Sequence, residues 1–344
     1  MKKWTTLGYL LTICLFAIFL GMPKILESRD TQIATEDYHV KAVDETIHIG
    51  LLQFIAHPAL DDIRQGIYDG LGERGYVDGE NIKIDYQNGQ GDQSNLKMLA
   101  EDMMNANNQL LVGLATPAAQ ALNQASNNRL PLVMAGVTDP VDAGLVKSLD
   151  QPGRNVSGTS DLSPVSEQLD LIQKILPDIK TLGILYNSSE TNAEVSVRAV
   201  KTEAEKRGIT IKEATISQTN DLAQVGEKLA ANVEAIYVPN DNTIASAMPT
   251  LIGITDEKQV PVFPAVDTMV SAGGLATVGV NQYQIGRDTA NIIADAIEGA
   301  DLSQYAIVNT EKTDMIINPN QAERLNLDLP KEVSENAKTV EGGN

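Results

Sequence analysis

The sequence predicts an α/β protein built as two doubly wound, parallel-sheet lobes, and three observations carry that prediction. Short apolar runs of strand length alternate with amphipathic stretches of helix length from residue 47 onward. The alternation completes one series by residue 135 and restarts near residue 165. The 344 residues, 42% of them apolar, suffice for two folding units, at roughly 100–200 residues apiece. Strands separated by helices of ten or more residues argue for a parallel sheet covered on both faces.

Taken in order, Ile47-His48-Ile49-Gly50-Leu51-Leu52 reads as a buried strand. Residues 60–74 set Ile63, Ile67, Gly70 and Leu71 on one helical face and stop at Gly75, a residue type that closes helices. Strand 82–86, helix 95–105 and strand 110–114 follow. Pro117 stands where a helix begins, in the turn that tolerates proline, so a helix is predicted to residue 125 and a strand over 132–135. The second series runs through helix 165–176, strand 181–186, helix 193–207 and strand 209–214. Helix 222–231, strand 235–238, helix 244–257 and strands 260–263 and 275–278 complete it. In open parallel sheets ligands bind beyond the carboxyl ends of the strands. The strand-end residues are therefore the ones to read for function.

Composition removes several function classes. The net charge is −20, whereas a nucleic-acid groove needs concentrated Lys and Arg. Cys14 is the single cysteine, so no intrachain disulfide forms, and with three histidines there are too few soft ligands for a Cys/His zinc site. No metal or other cofactor is expected. At the amino terminus Lys2 and Lys3 precede an uncharged, mostly apolar run over residues 4–23, the pattern of a secretion signal. A run of that length just spans a bilayer, and no small-x-small cleavage site follows it. Residues 1–26 are thus expected to be a signal or anchor, the uncleaved anchor favoured, with 27–45 as a tether. Ile13 before Cys14 is too large for a lipoprotein site.

No catalytic constellation is present. Gly-x-Ser-x-Gly, the P-loop pattern and His-Glu-x-x-His are absent, and Gly89-Gln90-Gly91 reads as a turn. Of the histidines only His57 stands where a base could work, and no sequence feature supplies a group to orient it. The strand ends instead offer binding groups. The first strand ends in Phe54 through His57, and the third in Ala115-Thr116-Pro117, which joins a hydroxyl to a helix N-terminus suited to an anion. Thr138 follows the fourth. The second series offers Tyr186-Asn187, Asn240-Asp241 and Asp267. Hydroxyls and helix termini on one side, carboxylates and amides on the other, would satisfy a zwitterion at both ends. Plainer readings stand beside these: Thr116, Thr138, Asn242 and Asp267 as helix caps worth about 0.5–2 kcal/mol each, Phe54 as core, His57 as a solvent-facing loop residue.

Phe-Ile-Ala-His-Pro-Ala-Leu-Asp at 54–61, Ala-Thr-Pro-Ala-Ala-Gln at 115–120, Val-Thr-Asp-Pro at 137–140, Gly-Thr-Ser-Asp at 158–161 and Val-Gly-Val-Asn-Gln-Tyr-Gln-Ile-Gly at 278–286 together resemble the ABC-transporter substrate-binding family that includes tryptophan- and tyrosine-binding proteins. The resemblance spans about residues 46–325. It implies a type I periplasmic-binding-protein fold with a three-strand hinge, crossed near residues 157–159, 279–280 and 310. Lobe 1 would then comprise 46–158 and 280–309, lobe 2 159–279 and 310–330, and 331–344 a tail. It also implies an amino-acid ligand, aromatic and most plausibly tryptophan, with Ser160 joining the site.

On this reading Thr116 and Thr138 take the carboxylate; Asp267 or Asp241, with Asn187 and Asn240, hold the ammonium; Phe54, His57 or Tyr186 meet the ring. The expected partners are an ABC permease and ATPase, the binding protein itself being monomeric and outside the cytoplasm. A ligand-sensing receptor ectodomain is the rival class, and a nucleoside or sugar the rival ligand. Sugars usually need aromatic stackers, and the single tryptophan, Trp4, lies in the N-terminal segment.

Overall fold

The first apolar series folds into a parallel sheet wound in both directions from its first strand. In the computed structural model, which describes residues 46–310 and 312–340, β1 (Ile47–Gln53) lies between β2 (Ile82–Asn88) and β3 (Leu110–Leu114). Beyond β3 come β4 (Leu132–Val137), β5 (Val156–Ser160) and β11 (Val308–Asn309), giving the order β11-β5-β4-β3-β1-β2. Helices α1 (Pro58–Glu73), α2 (Gln93–Asn105) and α3 (Thr116–Ser126) connect these strands. The inner strands β3 and β4 are buried at every position, as both covered faces require. The expected anchor, Cys14 and the tether lie outside the described residues, among which no helix is long and apolar enough to cross a membrane.

The second series gives a separate four-stranded parallel sheet in the order β7-β6-β8-β9. Its members are β6 (Thr181–Asn187), β7 (Thr210–Ile216), β8 (Ala235–Val238) and β9 (Val262–Pro264). Helices α4 (Val165–Ile175), α5 (Thr191–Lys206) and α6 (Leu222–Ala230) accompany it. Two hydrophobic cores result, one per lobe. Buried Gln168 on α4 ties the second lobe together. Its amide donates to Ala265 O at 3.1 Å and Val278 O at 2.8 Å, and it accepts from the Tyr237 hydroxyl at 2.6 Å. The expectation of an α/β fold with two doubly wound lobes is met.

Some elements differ from expectation. The helix expected over 244–257 is two, α7 (Asn242–Ser246) and α8 (Met248–Glu257), broken at Ala247. Pro249 explains the break, since its ring would collide with the carbonyl of Ala245 in a continuous helix. A short helix, α9 (Asp267–Ser271), starts at a residue read from sequence as a strand end. The chain passes between lobes after β5, which stays in the first sheet through Ser160 rather than leaving it at 157–159. It passes again between β10 (Ala276–Val280) and α10 (Gln282–Ile297), and between β11 and β12 (Thr313–Ile317). β10 and β12 pair antiparallel, and β13 (Lys338–Thr339) joins β12 in parallel. Helices α11 (Pro319–Arg324) and α12 (Lys331–Asn336) precede β13. The stretch expected as a tail from 331 therefore contributes a helix and an edge strand, with Val333 fully buried.

Candidate functional site

The carboxyl ends of both parallel sheets face one cleft, and a small cavity lies there, where open α/β sheets place their ligands. The first lobe lines it with His57, Ala59 and Leu60 at the start of α1, Ala115 and Thr116 at the start of α3, and Gly136 and Thr138 at the end of β4. The second lobe supplies Asn192 from α5, Asn240, Asp241, Asn242 and Ala245 around α7, and Val266 and Met269 at α9. Asp161 and Gln282, on two of the crossing segments, complete the wall.

Each lobe builds its half from local geometry. Proline at 58 and at 117 stands in the first turn of α1 and α3, shortly after β1 and β3, which helps fix both N-termini at the cleft. Ala115 holds φ +69° and ψ 159°, a conformation that normally belongs to glycine and costs an alanine roughly 1–3 kcal/mol. The strained turn brings the Thr116 hydroxyl to the cavity wall at the first turn of the eleven-residue α3, where unpaired backbone N–H groups favour an anion.

In the second lobe, buried Glu190 braces α7. It accepts from the backbone N–H groups of Asn242 and Thr243, from both of their side chains, and from Asn192 Nδ2. Both Asp241 oxygens are occupied as well, one by Ile244 N–H and the other by Asn187 N–H. Burial, and then the nearby Glu190 carboxylate, push the Asp241 carboxyl well above its ordinary range.

The lobes touch across the cleft. The His57 ring nitrogen Nε2 lies 3.2 Å from Asn242 Oδ1, and Asn240 Nδ2 donates to Asp161 O at 3.1 Å. At the rim Arg198 on α5 pairs with Asp142 in the loop after β4 at 3.0 Å. Asp161 accepts from the Thr138 hydroxyl at 3.0 Å, and burial raises its carboxyl to about 6.

Buried polar atoms are normally paired, and the exceptions here are concentrated. Among the described residues five buried side-chain polar atoms have no partner, and four belong to residues lining this cavity: His57 Nδ1, Thr116 Oγ1, Asn192 Oδ1 and Asn240 Oδ1. Among the described residues no Lys, Arg, Phe, Tyr or Trp lines the cavity. Its apolar wall is Leu60, Val266 and Met269 with small alanines.

Of the ten residues singled out from sequence, His57, Thr116, Thr138, Asn240 and Asp241 line the cavity. The other five stand elsewhere. Phe54 is sealed in the first core. The Ser160 hydroxyl donates to Thr138 O, bracing the wall from behind. Tyr186 turns to Glu213 on the neighbouring strand at 3.3 Å. Asn187 supports α7 through Thr243 Oγ1 at 2.8 Å. Asp267 accepts from Thr268 N–H at the start of α9, its carboxyl raised to about 6 chiefly by burial. Sequence reading missed Asp161, Asn192 and Gln282. The first was visible only as the last residue of the 158–161 block. The other two lie in first turns of helices, beyond the strand ends.

Two doubly wound lobes with a cavity between them define a type I periplasmic-binding-protein-like fold. The model of the family described as ABC transporter substrate binding protein matches residues 48–341, and the chain belongs to that family. It is 34% identical over 293 residues to the tyrosine-binding protein of Clostridioides difficile (strain R20291), covering 85% of this chain and 84% of that one. It is 40% identical to a Streptococcus pneumonia ABC domain solved in complex with L-Trp, covering 86% of this chain and 99% of that one, with a TM-score of 0.83. Against the ligand-free, open structure of a Clostridium difficile substrate-binding protein with adhesive properties the identity is 36%, the coverage 86% and 100%, and the TM-score 0.66.

Proposed function

We propose that this chain is the extracytoplasmic solute-binding component of an ABC importer and that it closes around an aromatic amino acid, tryptophan foremost. The observation that carries this reading is the set of four unpartnered polar atoms on the cavity wall. A ligand that pairs them removes a cost of roughly 1–3 kcal/mol per buried group. Their chemistry suits a zwitterion. Thr116 and the N-terminus of α3 receive the carboxylate; Asn192 Oδ1, Asn240 Oδ1 and the Asp161 carboxylate receive the ammonium.

The role first given to Asp267 and Asp241 thus passes to Asp161, because Asp241 already spends both oxygens on backbone N–H groups. The ring rests on Leu60, Val266 and Met269 rather than on Phe54 or Tyr186, and a thioether against an aromatic face contributes about 0.3–1.5 kcal/mol. The tyrosine- and tryptophan-binding relatives support the same ligand class. Residues 1–26 would hold the monomer at the membrane beside its permease and ATPase. Calorimetry of the purified chain against the amino acids tests the ligand: heat with tryptophan or tyrosine is expected. Silence with tryptophan, tyrosine and phenylalanine alike would sink the aromatic assignment.

A further inference from the structure

We propose that His57 reads a hydrogen-bond donor on the ligand's side chain, an indole N–H or phenol O–H, and so selects against aromatic ligands that lack one. This rests on the reading of the cavity as an amino-acid site. Asn242 Nδ2 donates to Glu190 Oε2 at 2.6 Å, which turns Asn242 Oδ1 toward His57. An amide oxygen only accepts, so His57 Nε2 carries the proton and donates across the cleft. In the neutral ring Nδ1 is then a bare acceptor. Burial supports the neutral form, since it lowers the pKa of the ring.

That acceptor is unsatisfied. His57 is 6% exposed, Nδ1 has no partner, and it makes no capping bond to the N–H groups of α1 although His57 occupies the N-cap position. The other acceptors on the wall account for the rest of the ligand. An ammonium has three N–H groups, matched by Asn192 Oδ1, Asn240 Oδ1 and the Asp161 carboxylate. The ligand's carboxylate is itself an acceptor and cannot serve Nδ1. A further donor is needed, and the part of the ligand left to supply it is the side chain. His57 stands next to Ala59 and Leu60 in the first turn of α1, beside the apolar wall assigned to the ring.

The test pairs L-tryptophan with 3-benzothienyl-L-alanine, the near-isosteric analogue whose ring sulfur replaces the N–H, on the full-length wild-type chain and on His57→Phe. Wild type is expected to prefer tryptophan by roughly 10- to 100-fold, the effect of leaving one buried acceptor unpaired. In His57→Phe the preference should collapse to within about threefold. His57→Leu, which removes both ring nitrogens with a smaller apolar side chain, should lose the preference too, and it serves if the phenylalanine variant folds poorly. Equal affinity of wild type for the two ligands would overturn the role given to His57, as would a preference that survives both substitutions. Failure of wild type to bind either ligand would overturn the aromatic reading itself, and this inference with it.

Discussion

Burial raises the Asp161 carboxyl to about 6, and no Lys or Arg side chain lines the cavity beside it. The groups around it are Thr138, Asn240, His57 and Asp241, neutral or acidic side chains that share the same wall. The sign of the pH dependence follows. A carboxyl raised above its unfolded value opposes the closed state once ionised, fully so above about pH 6, and the opposition fades as pH falls toward the ordinary value of 3.8. A ligand ammonium reverses this by favouring the ionised form. Affinity is therefore expected to be greatest above pH 6 and to fall as pH drops through it, by up to about tenfold per unit. Asp161→Asn should weaken tryptophan by at least about 30-fold at pH 7, as loss of one partner from a buried ion pair does, and should flatten the profile between pH 5 and 7. Titration calorimetry across that range reads both effects; a variant that keeps the wild-type slope would move the ammonium elsewhere. His57 protonation would also weaken closure at low pH, and the slope left in Asp161→Asn measures it.

Two of the helices that open onto the cleft, α1 and α10, pack through glycine. A Cβ on Gly286 of α10 would collide with the Ile63 carbonyl, and one on Gly66 of α1 with the Tyr283 carbonyl. Backbone thus meets backbone at the crossing, and neither side can yield by a rotamer change. Gly286→Ala must push α10 off α1, a cost at or above the roughly 1–3 kcal/mol of ordinary overpacking. Because the start of α1 carries its N-cap His57 with Ala59 and Leu60 into the cavity wall, and the start of α10 carries Gln282, the same shift should distort the cavity. Urea unfolding should show the stability loss and calorimetry a weaker ligand; wild-type values in both would refute the coupling. Element identity was legible in the sequence wherever a single period dominated, as in the strand over 235–238, which matches its predicted bounds. Thr116 was legible because threonine and proline follow an apolar run at a helix start. Phe54 and Tyr186 were not, since a strand-end position does not say whether a side chain turns to core, neighbouring strand or cleft. Asp161 and Asn192 become site residues only through the approach of the other lobe, a relation without any local sequence signal.

At the scale of the whole molecule the unpaired atoms argue for motion. In the closed arrangement four buried cavity atoms find no partner within the protein, so closing the cleft without another partner for them is disfavoured, at roughly 1–3 kcal/mol each. Little offsets it: the rim pair Arg198–Asp142 is exposed on both sides and worth about 0–1 kcal/mol, and His57–Asn242 and Asn240–Asp161 are two hydrogen bonds. Opening the cleft hydrates all four atoms at once. The ligand-free chain is therefore expected to rest open and to close when a ligand replaces that water, hinge closure driven only by tighter binding to the closed state. Small-angle scattering should give a radius of gyration for the empty chain above that of the closed structure, falling to it with saturating tryptophan. Asn242→Ala, which removes the cross-cleft acceptor of His57, should leave the empty value unchanged and raise the tryptophan concentration needed for compaction. An empty chain already as compact as the liganded one would mean that water or a resident solute satisfies the four atoms in the closed state, and ligand binding would then not be what drives the hinge.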